Sequence, residues 1–194
     1  MSRIPLFPLN LILLPFESLP LHIFEERYKK MVKNSIENNT PFGIILNEDN
    51  GLYSRGCKVK ITKIYKKYDN GEYDILVQGC ERFDVLETDL DGDTVMGEVE
   101  FHENNQHPDL SLINKIQDSY LKVLIRHGID NNLNHYMNKE ISYDFLSGIR
   151  LPIELKKALI DLDIESERLR FIHQMFKNIL KNPVKKNLIH THQA

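Results

Sequence analysis

The chain has 194 residues, 41% of them hydrophobic and 27% charged, with a formal net charge of −3 and a pI near 6.2. That length supports one sizeable core or two small ones, and the composition is that of an ordinary globular protein. The mildly acidic balance gives no global attraction to nucleic acid or to an anionic membrane, and two cysteines, Cys57 and Cys80, cannot build a disulfide framework and read as small buried thiols.

Residues 4–16 are strongly apolar but broken by Pro5, Pro8 and Pro15, and Pro20 follows, so four of the eight prolines fall in the first twenty residues. Proline fixes φ, donates no hydrogen bond and pushes the preceding residue to extended geometry. The stretch therefore predicts extended buried segments separated by bends, leading into a helix near Phe24. It does not read as a signal peptide: only Arg3 is positive, the prolines interrupt the apolar run, and no small-residue cleavage site follows. No run approaches the ~18 apolar residues of a membrane span. These features predict a cytoplasmic protein without a membrane partner.

Further along, Tyr28, Met31, Val32 and Ile36 recur at helical spacing within a helix over 25–39 that ends at Asn38-Asn39-Thr40-Pro41. Residues 42–46 predict a short buried strand, and residues 47–51 a loop. Strands over 56–68 and 72–79 flank Asp69-Asn70-Gly71, a strong hairpin signal. A third strand over 82–86 and a fourth over 94–101, joined by a turn at Asp91-Gly92, complete an antiparallel meander. Composition changes at residues 103–109, and helical periodicity follows. Helices are predicted over 110–127, ended by Gly128; over 140–149; over 153–162, with Pro152 in the first turn; and over 165–181, capped by Asp163. The domains are thus expected at 1–103 and 109–181, with a frayed polar tail over 182–194.

Residues with chemical potential form no convincing constellation. There is no glycine-rich phosphate loop or dinucleotide fingerprint. Isolated glycines such as Gly148 read as packing or turn residues. His22 to Glu26 contains a partial inverted zinc motif without its second histidine, and His190 and His192 lie in the polar tail. Asp89, Asp91, Asp93 and Glu100 stand at positions 1, 3, 5 and 12 of a calcium loop, but Thr94 occupies the position that needs glycine. No metal, cofactor or catalytic residue is therefore expected. The densest positive patch is Lys58, Lys60, Lys63, Lys66 and Lys67, with Tyr65 and Tyr68 beside it. It reads either as an edge strand defended by lysine or as an RNA-binding face, in which bases would stack on aromatics.

Three blocks of sequence converge on one family. Ile4-Pro5-Leu6-Phe7-Pro8-Leu9, Leu13-Leu14-Pro15 and Leu19-Pro20-Leu21-His22-Ile23-Phe24-Glu25-Glu26-Arg27-Tyr28 resemble the start of the Lon protease N-terminal domain. Gly43-Ile44-Ile45, Gly56-Cys57-Lys58-Val59-Lys60-Ile61 and Val77-Gln78-Gly79-Cys80-Glu81-Arg82-Phe83 are similar to its middle. Leu151-Pro152, Leu159-Ile160-Asp161 and Glu167-Arg168-Leu169 resemble its helical part. Arg55 departs from the family, which commonly has an apolar residue there, so that strand start is expected to be more exposed.

The resemblance implies an α+β fold, a PUA-like, mostly antiparallel pseudo-β-barrel followed by an α-helical bundle. It also implies a bacterial protein-binding role without ATPase or peptidase chemistry, as in stand-alone Lon-N-like proteins. The expected partners are unfolded or extended protein segments, with a Lon-type protease system as a further candidate. They would dock between barrel and bundle or on apolar residues near the start. Phe16, Leu21, Phe24 and Tyr28 are the candidate peptide-binding residues, and core packing is the competing expectation for Phe24 and Tyr28. RNA binding through Lys58, Lys60, Lys63 and Lys66 is the alternative, against which the net charge argues.

Overall fold

The proline-rich start is accommodated by a strand that changes neighbours. In a computed structural model, which describes residues 1–102, 110–129, 133–147 and 149–182, strand β1 (Ser2–Leu9) pairs antiparallel with β6 (Thr94–His102) over residues 2–5 and parallel with β3 (Phe42–Glu48) over residues 6–9. Each half thus lacks a ladder on one side, where a missing proline N–H costs no bond. Pro20 lies in β2 (Ser18–Ile23), which pairs with β5 alone and is an edge strand. The predicted domain boundary at 103–109, Gly148 and the tail with His190 and His192 lie outside the described residues.

The chain divides into two compact units, Met1–Glu103 and Asn104–Ala194. In the first, helix α1 (Glu26–Asn38), β4 (Gly51–Lys67) and β5 (Tyr73–Asp91) complete the elements. The strand order is β2-β5-β4-β3-β1-β6, and β6 also pairs with β5. Long β5 meets β2 with its first half and β6 with its second. The pairing therefore runs from β5 through β4, β3, β1 and β6 back to the second half of β5, a mixed pseudo-barrel with β2 added outside this circuit on the first half of β5.

The strands predicted separately at 72–79 and 82–86 are one continuous strand, in which Gly79 and Cys80 stay extended and Gly79 lies close against Leu14 and Cys57. The expected loop over 47–51 is only a tight turn between β3 and β4. Arg55 is not exposed: its side chain is 17% accessible and paired with Asp84 at 2.8 Å.

One core cluster gathers Leu13, Tyr28, Val32, Phe42, Val59, Ile75 and Val77; a second gathers Ile4, Leu6, Ile45, Phe83 and Val99. Phe83 lies where Cβ atoms on Gly43 and Gly56 would have to be, 2.6 and 2.3 Å from its ring. The two family glycines are thus a seat for one aromatic ring.

The second unit contains α2 (Leu110–Arg126), α3 (Ile153–Asp161) and α4 (Glu165–Lys181). Tyr120 of α2 stacks on Phe176 of α4 at 5.8 Å and meets Phe145 edge-on at 5.7 Å. Arg126 caps the end of α4, donating to the carbonyls of Ile179, Leu180 and Asn182. The helix predicted over 140–149 is only a 3-10 turn, Ser142–Leu146. Four of its five residues are buried, which leaves no apolar stripe to favour an α-helix. Asp163 does not cap α4; Ile164 occupies that position, without a side-chain bond. No described helix is long and apolar enough to cross a membrane.

Candidate functional site

The four residues of the proline-rich start picked out by sequence do not form one patch. Phe16 sits in a turn with φ of 66°, conformationally costly for a non-glycine residue. The turn is held by Phe16 N–H donating to the Gly79 carbonyl at 2.9 Å and Leu14 N–H donating to the Glu17 carboxylate at 2.8 Å. The Phe16 side chain is 44% exposed. Phe24 follows β2, at the opposite end of that strand from Phe16. Phe24 is 59% exposed and stacks on His22 at 5.9 Å. Leu21 is half-buried against the first core cluster. Tyr28 is core: it is 4% exposed, with its ring 4.1 Å from that of Phe7, and is not available to a ligand. Glu25 and Arg27 form an ion pair at 2.8 Å, with the guanidinium 4.6 Å from the Tyr28 ring centre.

His22 belongs to a small polar cluster. Its Nδ1 lies 2.7 Å from the Asp74 carboxylate and its Nε2 3.6 Å from Glu72, while the Tyr68 hydroxyl donates to Asp74 at 2.7 Å. The Tyr68 bond, and after it the His22 bond, holds the Asp74 carboxyl below its ordinary 3.8, and the same bond to Asp74 raises the Tyr68 hydroxyl. A carboxyl depressed in the folded state contributes stability above its unfolded value and loses it as pH falls through the folded value. The gap in thermal midpoint between the native chain and Asp74→Asn should therefore be open at pH 7 and close as pH drops below 4. A gap that stays constant down to pH 2.5 would contradict the bonding. Among the described residues no group of three or more His, Cys, Asp or Glu side chains is placed to hold a metal. Asp89 of the calcium-like pattern is bound by Arg3 at 2.9 Å, and Thr94 starts β6.

The lysine strand has a feature that its sequence did not reveal. The β3–β4 ladder ends at Phe42 and Val59, whereas the β4–β5 ladder continues to Lys67 and Tyr73. Among the described residues, residues 60–67 of β4 therefore have a strand on one side only. Across the open side lie Ser35, Ile36, Asn39, Thr40 and Pro41, from the end of α1 and the residues after it, forming with Lys58–Ile64 and Cys80 a groove of about 420 Å3. Ile36 was expected in the buried stripe of α1; it is 36% exposed and lines this groove instead. Lys58 is drawn inward, paired with Glu81 and lying 4.7 Å from the Phe101 ring centre. Lys60 and Lys63 line the groove. Lys63 also lies 4.9 Å from the Tyr65 ring centre and Lys66 4.2 Å from that of Tyr68. Cys57 is buried, which pushes its thiol well up, and Cys80 is half-buried; neither is in a disulfide.

A family model described as the ATP-dependent protease La (LON) substrate-binding domain matches residues 3–178. The chain belongs to that family. It is 24% identical over 211 residues to a Lon protease of Cytophaga hutchinsonii, a match that takes in 98% of this chain and 26% of the relative. The chain thus spans about a quarter of the length of that relative. Its fold is similar to the Lon N-terminal domain protein from Xanthomonas campestris, with a TM-score of 0.69 at 21% identity, covering 91% of this chain and 98% of the other. It is also similar to the N-terminal domain of Mycobacterium avium complex Lon protease, with a TM-score of 0.72 at 16% identity, covering 91% and 99%. The blocks quoted for the resemblance in this LON-family chain are mainly scaffold. Gly43, Gly56 and Phe83 interlock, Tyr28 packs on Phe7, and Arg168 and Leu169 are buried.

Proposed function

We infer that this chain is a non-catalytic module that binds extended or unfolded protein segments. The observation that carries this reading is the match of the substrate-binding family model to residues 3–178. The geometry supports it with solvent-facing aromatic rings, Phe16 and Phe24, and with a groove beside an open strand edge. A Lon-type protease system is the natural setting for such a module, since the matched relative is a Lon protease. Binding of RNA is less well supported: Lys63 and Lys66 lie against Tyr65 and Tyr68, the rings on which bases would stack.

The test is anisotropy titration of the whole chain with fluorescent fragments of denatured proteins. Binding in the micromolar range is expected, and Phe16→Ser or Phe24→Ser should weaken it about fivefold or more where that ring is an anchor. No binding across a broad fragment set would overturn the reading. A structured RNA retained at 150 mM salt, with no fragment bound, would replace it with the nucleic-acid one.

A further inference from the structure

We propose that the free edge of β4, residues 60–67, receives an extended acidic peptide as an added strand, with its alternate apolar side chains in the groove beside α1. This deepens the reading of the chain as a protein-binding module and rests on it.

Three observations converge. The first is the edge itself. Beyond Val59, β4 keeps β5 on one side and, among the described residues, has no strand on the other. An antiparallel or parallel strand laid there meets alternating backbone donors and acceptors, the pattern that another peptide matches. A phosphodiester backbone offers acceptors only.

The second is the wall opposite. Ile36 and Pro41 line the groove together with Ile61 and Ile64 of β4. Ile64 is 45% exposed and Ile36 36% exposed, so apolar surface stands open at the position where every second side chain of an added strand would point. Neither side chain belongs to the two core clusters described above.

The third is charge. Within its 17 residues β4 carries Arg55, Lys58, Lys60, Lys63, Lys66 and Lys67 and no carboxylate. Lys60, Lys63, Lys66 and Lys67 are all exposed. Lysine on an edge, together with the ladder irregularities between Ile61 and Lys63 and between Ile64 and Lys66, is how sheets resist indiscriminate pairing. The resistance is selective. Like charge repels the same edge of a second copy, while a strand bearing Glu or Asp at alternate positions gains cross-strand pairing with the lysines. The occupant favoured is therefore an extended segment alternating acidic and apolar residues, and neither a second β4 nor a neutral strand.

The experiment uses the whole chain and a fluorescein-labelled ten-residue peptide of alternating Glu and Val. Two controls accompany it: the Lys-for-Glu analogue, and the same Glu-Val peptide with alternate backbone amides methylated. Saturable binding of the Glu-Val peptide is expected, at least tenfold weaker for the methylated form and absent for the Lys analogue. The exposed-site double variant Lys60→Glu/Lys63→Glu, checked for an unchanged circular dichroism spectrum, should lose at least tenfold. Lys60→Gln/Lys63→Gln should fall between it and the native chain. Hydrogen exchange of the amides over 60–67 should slow when peptide is bound.

Equal binding of the methylated peptide would overturn strand addition, and equal binding of the Lys analogue would overturn the charge match. Displacement of the peptide by single-stranded RNA at stoichiometric concentration would give the edge to nucleic acid. Concentration-dependent self-association through residues 60–67 would give it to a second copy. If denatured-protein fragments bind but are indifferent to Lys60→Glu/Lys63→Glu, the edge proposal fails while the protein-binding reading stands. If no fragment binds at all, both fall.

Discussion

Replacing Arg168 with leucine will destabilise the helical unit by about 3–5 kcal/mol, the range for removing one partner of a buried ion pair. Arg168 is fully buried and Glu165 is 2% exposed. The guanidinium donates to Glu165 at 2.7 Å through Nη2 and to the Ser142 hydroxyl at 3.2 Å through Nε, and through Nη1 to the carbonyls of Leu162 and Asp163. Glu165 in turn accepts the Ser142 N–H and hydroxyl. Leucine would leave the buried Glu165 carboxylate without its guanidinium and take the Arg168 bonds from the carbonyls of Leu162 and Asp163. Lysine keeps a charge but cannot fan out to four acceptors, so Arg168→Lys should retain part of the loss. The double replacement Glu165→Leu/Arg168→Leu removes both charges yet takes from the Ser142 N–H its acceptor and from the Leu162 and Asp163 carbonyls their bonds to Arg168, and should remain destabilised. The chain has no tryptophan, so the signal is circular dichroism at 222 nm. At ~4–8 °C per kcal/mol for a unit of this size, Arg168→Leu should lower the midpoint by more than about 10 °C. A drop under about 3 °C would show that the network is not formed.

That network marks the limit of what helical periodicity discloses. The span of α4 and its buried face at Leu169, Ile172, Met175 and Phe176 follow from a 3.6-residue stripe, and the observed helix has the predicted ends. Glu165 and Arg168, three residues apart, look in sequence like the pair Glu26–Lys29 on α1, whose carboxylate is exposed. Their burial is decided by Ser142 and by the residues before α4, which no local pattern names. For the converse reason, the sequence predicts a helix over 140–149 where the 3-10 turn Ser142–Leu146 stands: dense apolar residues announce burial without fixing the helical type.

In the first unit, strand period and turn residues located the elements, while partners and lengths were hidden. The parallel pairing of β1 with β3 joins segments separated by β2 and α1, a choice made by the closing sheet. Family resemblance, more than pattern, supplied the pseudo-barrel. The candidate site was legible in the same uneven way. Lysine density on β4 and the aromatics of the start are visible in the sequence. Which aromatics reach solvent is not: Tyr28 and Phe24 both carry an apolar ring, yet one packs on Phe7 and the other follows an edge strand into water. The groove exists because β4 outlasts β3, and that depends on a register no single strand encodes.

Register also explains the second large effect. Gly79→Ala will destabilise the sheet unit by about 3 kcal/mol, the upper part of the range for overpacking. A Cβ there would stand 2.4 Å from the Leu14 carbonyl oxygen, 3.1 Å from its carbon and 3.0 Å from the Cys57 sulfur. Leu14 cannot withdraw alone, because Gly79 accepts the Phe16 N–H and donates to the Glu17 carbonyl, each at 2.9 Å. The turn that carries Phe16 is thus docked on β5 through the bare backbone of one glycine. The nature of the obstacle gives a discriminating control. At Gly43 the obstacle is the Phe83 ring, with the Leu6 side chain behind it, so Gly43→Ala should be partly rescued by Phe83→Leu. At Gly79 the nearest obstacle is main chain, so Cys57→Ala should relieve the sulfur contact and rescue almost nothing. Urea titrations of the four single and two double variants measure both couplings. Full rescue of Gly79→Ala by Cys57→Ala would mean that the sulfur, and not the Leu14 carbonyl, sets the requirement for glycine, and that the turn before β2 is free to move.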